Sequence, residues 1–192
     1  MTESSEPELL VVTDSAAWRV WLDENEDASD GEWLLLAKKG TTSPTSLTYA
    51  QALQEALCSG WIDGQSNRID DATYRQRFTP RRTRSLWSLR NIDHAERLVR
   101  EGRMRPRGHS EIERAKSDGR WERAYPGQAD AVAPEDLTAA LEAVPAARER
   151  FGALTRQERF AVLHQVLTAP NDATRARRIA KWVKKLSQEE QP

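Results

Sequence analysis

The chain has 192 residues with 29 basic and 30 acidic side chains, a net charge of −1, 38% hydrophobic content and one cysteine. That length suits one large domain or two small ones with a real core and no need of staples. The lone Cys58 excludes an intramolecular disulfide framework and fits a reducing compartment, and no run approaches the roughly 18 apolar residues of a membrane span. The neutral total hides an asymmetry. Residues 1–32 hold ten acids against Arg19, whereas residues 75–107 hold eleven arginines against Asp93, Glu96 and Glu101. Such a distribution reads as an internal acid–base match or as a surface for a polyanion.

The polar, acidic start Met1–Pro7 has neither a basic nor an apolar region of the kind a signal peptide needs, so a cytoplasmic protein is expected. Residues 1–12 read as a frayed tail ending in the apolar Leu9–Val12. Asp14 can cap a helix that carries Trp18, Trp21 and Leu22 on one face. Glu32–Lys39 reads as a buried strand closed by Gly40. Trp18, Trp21 and Trp33 are expected to pack together. Thr48 with Gln51 forms a capping box for a helix presenting Leu53, Ala56 and Leu57, and Gly60 sits where a left-handed C′ residue is wanted. Asp63–Gly64 reads as a turn and Gln65–Ile69 as a strand. Tyr74–Thr79 alternates, with Tyr74, Gln76 and Phe78 on one face and Arg75, Arg77 and Thr79 on the other; Pro80 ends it.

Leu86–Leu89 suits a short strand or turn. Helices are expected over 92–101 and 110–118, the second opened by a Ser110/Glu113 capping box. Tyr125–Ala133 has linker composition. Beyond it every signal is helical: Pro134 at a helix start, Thr155 with Glu158 at the next, and Asp172 as cap of a last helix with Ile179, Val183 and Leu186 on its apolar face. The fold class expected is α+β: a small antiparallel sheet with flanking helices over 1–125, followed by a helical bundle over 126–192 packed on it.

Several segments in this order carry a resemblance. They are Glu32–Gly40, Ser46–Gly64, Tyr74–Arg82, Ser85–Asn91 and Ala173–Ile179. Together they resemble the YdeI/OmpD-associated, or bacteriocin-protection, family over about residues 8–188. The resemblance implies a YjbR/CyaY-like α+β unit, a small helical unit after it, and an association with tolerance to bacteriocins. It supplies no catalytic residue to carry over.

The candidate functional surface is the arginine-rich strand and the segment after it: Arg75, Arg77, Arg81, Arg82, Trp87 and Arg90. Guanidinium forks suit phosphate or carboxylate, and an indole can stack on a base. The anionic partner expected is a nucleic acid, a nucleotide or an acidic protein. The alternative is that these arginines pair with the acidic first third of the chain. A second candidate is a small enzyme pocket at Trp61, Asp63 and Tyr74, with Asp63 as acid or base; an Asp before Gly is otherwise turn chemistry. His94, His109 and His164 stand apart from one another, so no metal is expected, and no cofactor motif is present. Cys58 at a helix end reads as a small buried hydrophobe. The basic last helix suits either a capping helix or an anionic surface. Ending the chain at Pro170 removes the last helix's apolar face, so the shortened protein is expected to bind an apolar dye that the full chain does not, a change read directly by fluorescence.

Overall fold

The computed structural model describes residues 8–188; Met1–Pro7 lie outside the described residues. The chain divides into two compact units. One comprises the chain up to Ser85 with Asn91–Asp118, and the other Leu86–Arg90 with the chain from Gly119 onward.

The first unit is α+β. Its strands are β1 (Leu9–Leu10), β2 (Glu32–Ala37), β3 (Trp61–Arg68) and β4 (Thr73–Pro80), in the order β1-β2-β4-β3. β2, β4 and β3 run antiparallel, whereas β1 joins β2 in parallel through Leu9↔Trp33 and Leu10↔Leu34. The expected antiparallel sheet is therefore mixed, and part of the expected frayed tail is an edge strand. β3 begins earlier than the sequence suggests. Asp63–Gly64 is not a turn but the start of a register irregularity between Asp63 and Ser66, where an extra residue bends the strand.

The helices of this unit are α1 (Ser15–Asn25), α2 (Tyr49–Cys58), α3 (Leu89–Arg100, which starts in the other unit) and α4 (Pro106–Ser117). The Asp14 carboxylate accepts from Ala17 N at 2.9 Å, and the Thr48/Gln51 box opens α2. α4 corrects the capping box expected at Ser110. It starts a turn earlier, with Pro106 at its first position, and the Ser110 hydroxyl donates back to Pro106 O at 3.0 Å inside the helix.

Period-2 alternation sends Leu34, Leu36, Gln76 and Phe78 to the face covered by α1 and α2. Trp18, Leu22, Leu53, Ala56, Trp61 and Phe78 fill the space between, all at most 1% exposed. Trp18 stacks on Trp21 with centroids 5.1 Å apart and meets Trp61 edge-on at 6.3 Å. The third indole of this cluster is Trp61, not the expected Trp33, because Trp33 has the odd register and points to the opposite face. Gly31 enters β2 with φ +127°, and a Cβ there would lie 2.7 Å from Phe78 O, so only glycine fits.

The second unit holds α5 (Glu135–Glu142), α6 (Pro145–Ala153), α7 (Arg156–Leu167) and α8 (Asp172–Ser187). Leu137, Leu141, Ala147, Val162, Leu163, Val166, Ile179 and Leu186 form its core, with Val183 half-buried beside them. α6 has no counterpart in the sequence reading, since only Ala147 of it is buried and it shows no apolar stripe. The cap of α8 is Asn171, not Asp172: its side-chain oxygen accepts from Thr174 N at 2.8 Å. Thr155 and Glu158 form the expected box. In place of a strand at Leu86–Leu89 there is an isolated bridge between Ser88 and Tyr125, after which α3 begins at once.

Tyr125 also meets the His164 ring edge-on at 4.6 Å. Burial, and then the Arg178 charge, hold the His164 imidazole below its ordinary 6.5. The folded unit thus keeps His164 neutral where the unfolded chain takes up a proton. That contribution is whole above 6.5 and is lost as the pH falls through the window beneath it. Thermal melts between about pH 7.5 and 5 should show a decline in stability that is shallower in a His164→Gln variant.

Candidate functional site

The face of the sheet opposite α1 and α2 is set by the odd residues of β4 and their partners. Arg75 faces Leu35 and Arg77 faces Trp33. Two residues apart on a strand, the arginines stand roughly 7 Å from each other on one face. The Arg75 guanidinium lies over the Trp33 ring, 4.9 Å from its centroid, a diagonal cross-strand contact. Stacking of this kind fixes the plane of the fork and leaves its N–H edges for an anion. Both arginines are half-buried, and Arg82 and Arg84, just past the strand, are exposed. Among the described residues none of these four makes an ion pair.

The other sequence-chosen positions divide. Arg81 is 5% exposed, and its backbone N–H donates to Gly60 O at 3.0 Å, which ties the end of β4 to the cap of α2. Trp87 is 2% exposed and packs on Trp121 at 4.9 Å. Trp87 and Arg90 belong to the second unit, whereas Arg75, Arg77, Arg81 and Arg82 belong to the first. Burial takes Arg81 and Trp87 off the exposed surface, so the exposed or half-exposed arginines of β4 and the loop just after it are Arg75, Arg77, Arg82 and Arg84.

Trp61, at 0% exposure, is core. Asp63 stands on the same face and accepts a hydrogen bond from the Tyr49 hydroxyl at 2.9 Å, linking β3 to α2. Tyr74 packs against the core from β4, where burial raises its phenol above the ordinary value. Register places Asp63 opposite Phe78 and Tyr74 opposite Arg68, so the two are separated along the sheet. Burial, and then the Glu55 charge, push the Cys58 thiol up to about 11, which leaves it an unreactive core residue.

Sequence reading missed the strongest electrostatic feature of the first unit. Glu55, 8% exposed, meets Arg105 at 3.1 Å and also pairs with Arg103. Arg105 in turn reaches Asp23 of α1 at 2.9 Å, and Arg107 pairs with Asp27. The available signal was a charged residue on the apolar side of an amphipathic helix, between Leu53 and Leu57. The basic segment is thus of two kinds. Arg103, Arg105 and Arg107 pair with Glu55, Asp23 and Asp27, whereas among the described residues Arg75, Arg77, Arg82 and Arg84 make no ion pair.

Two family matches accord with this division of the chain. Residues 10–111, just over half of it, match a family described as a domain of unknown function (DUF8412). Residues 130–189 match the family described as bacteriocin-protection, YdeI or OmpD-associated. The chain belongs to the first family and carries the YdeI/OmpD-associated domain in its second unit. No curated protein and no solved structure matches it. Among the described residues, no helix is long and apolar enough to cross a membrane, and no cluster of His, Cys, Asp or Glu could hold a metal ion.

Removing one member of a buried charge pair leaves the other desolvated and unmatched. Glu55→Ala should therefore cost about 3–5 kcal/mol, measured by urea unfolding followed through tryptophan fluorescence, and Glu55→Gln less.

Proposed function

We propose that this protein is a non-enzymatic, cytoplasmic factor of the bacteriocin-tolerance type that works by holding an anionic partner on the arginine face of its sheet. The bacteriocin-protection part of the reading rests on the domain matched by residues 130–189. The anion-binding part rests on one observation. Asp23 of α1 and Asp27 just after it are paired with Arg105 and Arg107, while Arg75, Arg77, Arg82 and Arg84 make no ion pair among the described residues. Charges left over in this way, with one fork already stacked on an indole, suit phosphate or carboxylate groups. A small sheet with helices on one face also supports the YjbR/CyaY-like reading of the first unit. The solitary, buried Cys58 supports a reducing compartment.

A phosphate-bearing partner releases counterions on binding, so affinity should fall with salt. Retention on heparin and on single-stranded DNA should be salt-sensitive in the intact protein. It should weaken in both Arg75→Ala/Arg77→Ala and Arg82→Ala/Arg84→Ala, each lost contact lowering the salt slope by about 1. Retention that ignores salt, or that both double variants preserve, overturns the reading.

A further inference from the structure

In the second unit, α5 and α8 leave a groove of about 560 Å3 between them. Ala140 lines it from α5, and Ala176, Ile179, Ala180, Val183 and Ser187 line it from α8. Positions 176, 180, 183 and 187 recur at the spacing of a helix–helix seam, and 11 residues of helix span about 16 Å, or three turns. Ala176 and Ala180 are exposed, and their small side chains let another backbone come close. One end of the groove is closed by the Asp136–Arg175 pair, with Arg175 Nη2 donating to Asp136 Oδ1 at 2.8 Å.

The cations of α8 fall into two sets. Arg175 is held by Asp136, Arg178 donates to Gln165 O, and Lys185 lies over the Trp182 ring at 5.1 Å. The remaining three, Arg177, Lys181 and Lys184, form a stripe along the groove edge away from α5. Arg177 reaches only the Thr174 hydroxyl, and among the described residues Lys181 and Lys184 make no ion pair. An apolar seam flanked on one side by cations that make no ion pair among the described residues is half of a helix–helix interface.

We propose that this groove docks an acidic amphipathic helix of a partner protein. Its apolar residues fill the space over Ala176, Ala180 and Val183, and its Asp or Glu residues meet Arg177, Lys181 and Lys184. A second copy of this chain docking through α8 would oppose like charges. An anionic bilayer would need large protruding apolar side chains, whereas those here are small alanines and a half-buried valine. The proposal is independent of the arginine face of the sheet.

The test uses the full chain and two synthetic three-heptad helices with the same leucine seam, one flanked by glutamate and one by lysine. Fluorescence anisotropy should show the glutamate-flanked helix bound at least about tenfold more tightly, a preference weakened by salt. Lys181→Glu/Lys184→Glu should reverse that preference, and Ala180→Arg should abolish binding of both helices, with circular dichroism and melting unchanged in each variant. Reversal in the charge swap is an outcome that misfolding cannot imitate. Equal binding of the two helices, or binding of neither, overturns the proposal. So does self-association through α8 in sedimentation, or binding to vesicles of anionic lipid that the charge swap removes.

Discussion

The placement of one carboxylate governs how charge is distributed over the first unit. Glu55 sits near the C-terminal end of α2, almost out of water, and meets Arg103 and Arg105 at the entry to α4. Buried charge is tolerated only with partners and hydrogen bonds in place, and both are present: Arg105 also bonds Ser59 and the Glu55 carbonyl. From the same guanidinium a fourth contact runs to Asp23 of α1. Three helices are thereby held by one arginine, at the edge of the tryptophan cluster that fills the space beneath the sheet.

The consequence reaches the opposite side of the sheet. Because the α3–α4 segment pairs with Asp23 of α1 and Glu55 of α2, the arginines of β4 are not drawn into that match. Strand alternation then decides which way they face. Gln76 and Phe78 go to the core, and Arg75 and Arg77 go to the other side with Trp33. A neutral chain can in this way keep a basic face, since neutrality of the total does not require neutrality of each surface.

The second unit follows a different logic. Its helices are short, α7 and α8 are opened by the side-chain caps Thr155 and Asn171, and their apolar residues build a core of leucine, valine, isoleucine and alanine. α8 is the longest of them and uses only part of its circumference for that core. Ile179 and Leu186 are buried, while Ala176 and Ala180 on the adjoining face stay open beside the basic stripe.

Much of the local structure was legible from residues alone. The Asp14 cap, the two capping boxes, the buried strand β2 and the alternation of β4 are decided by groups within a few residues of one another, and their geometry follows from backbone chemistry. So did the α+β class and the helical C-terminal part, because periodicity survives without tertiary context. What the sequence could not supply was pairing across distance. That β1 is a strand depends on the free edge of β2; that Trp61 rather than Trp33 joins Trp18 depends on strand register. The choice between Arg105 and Arg75 as partner for the acids depends on which elements the core brings together. Composition counted both arginines alike, and only the three-dimensional arrangement separates the one 2.9 Å from Asp23 from the one stacked on Trp33.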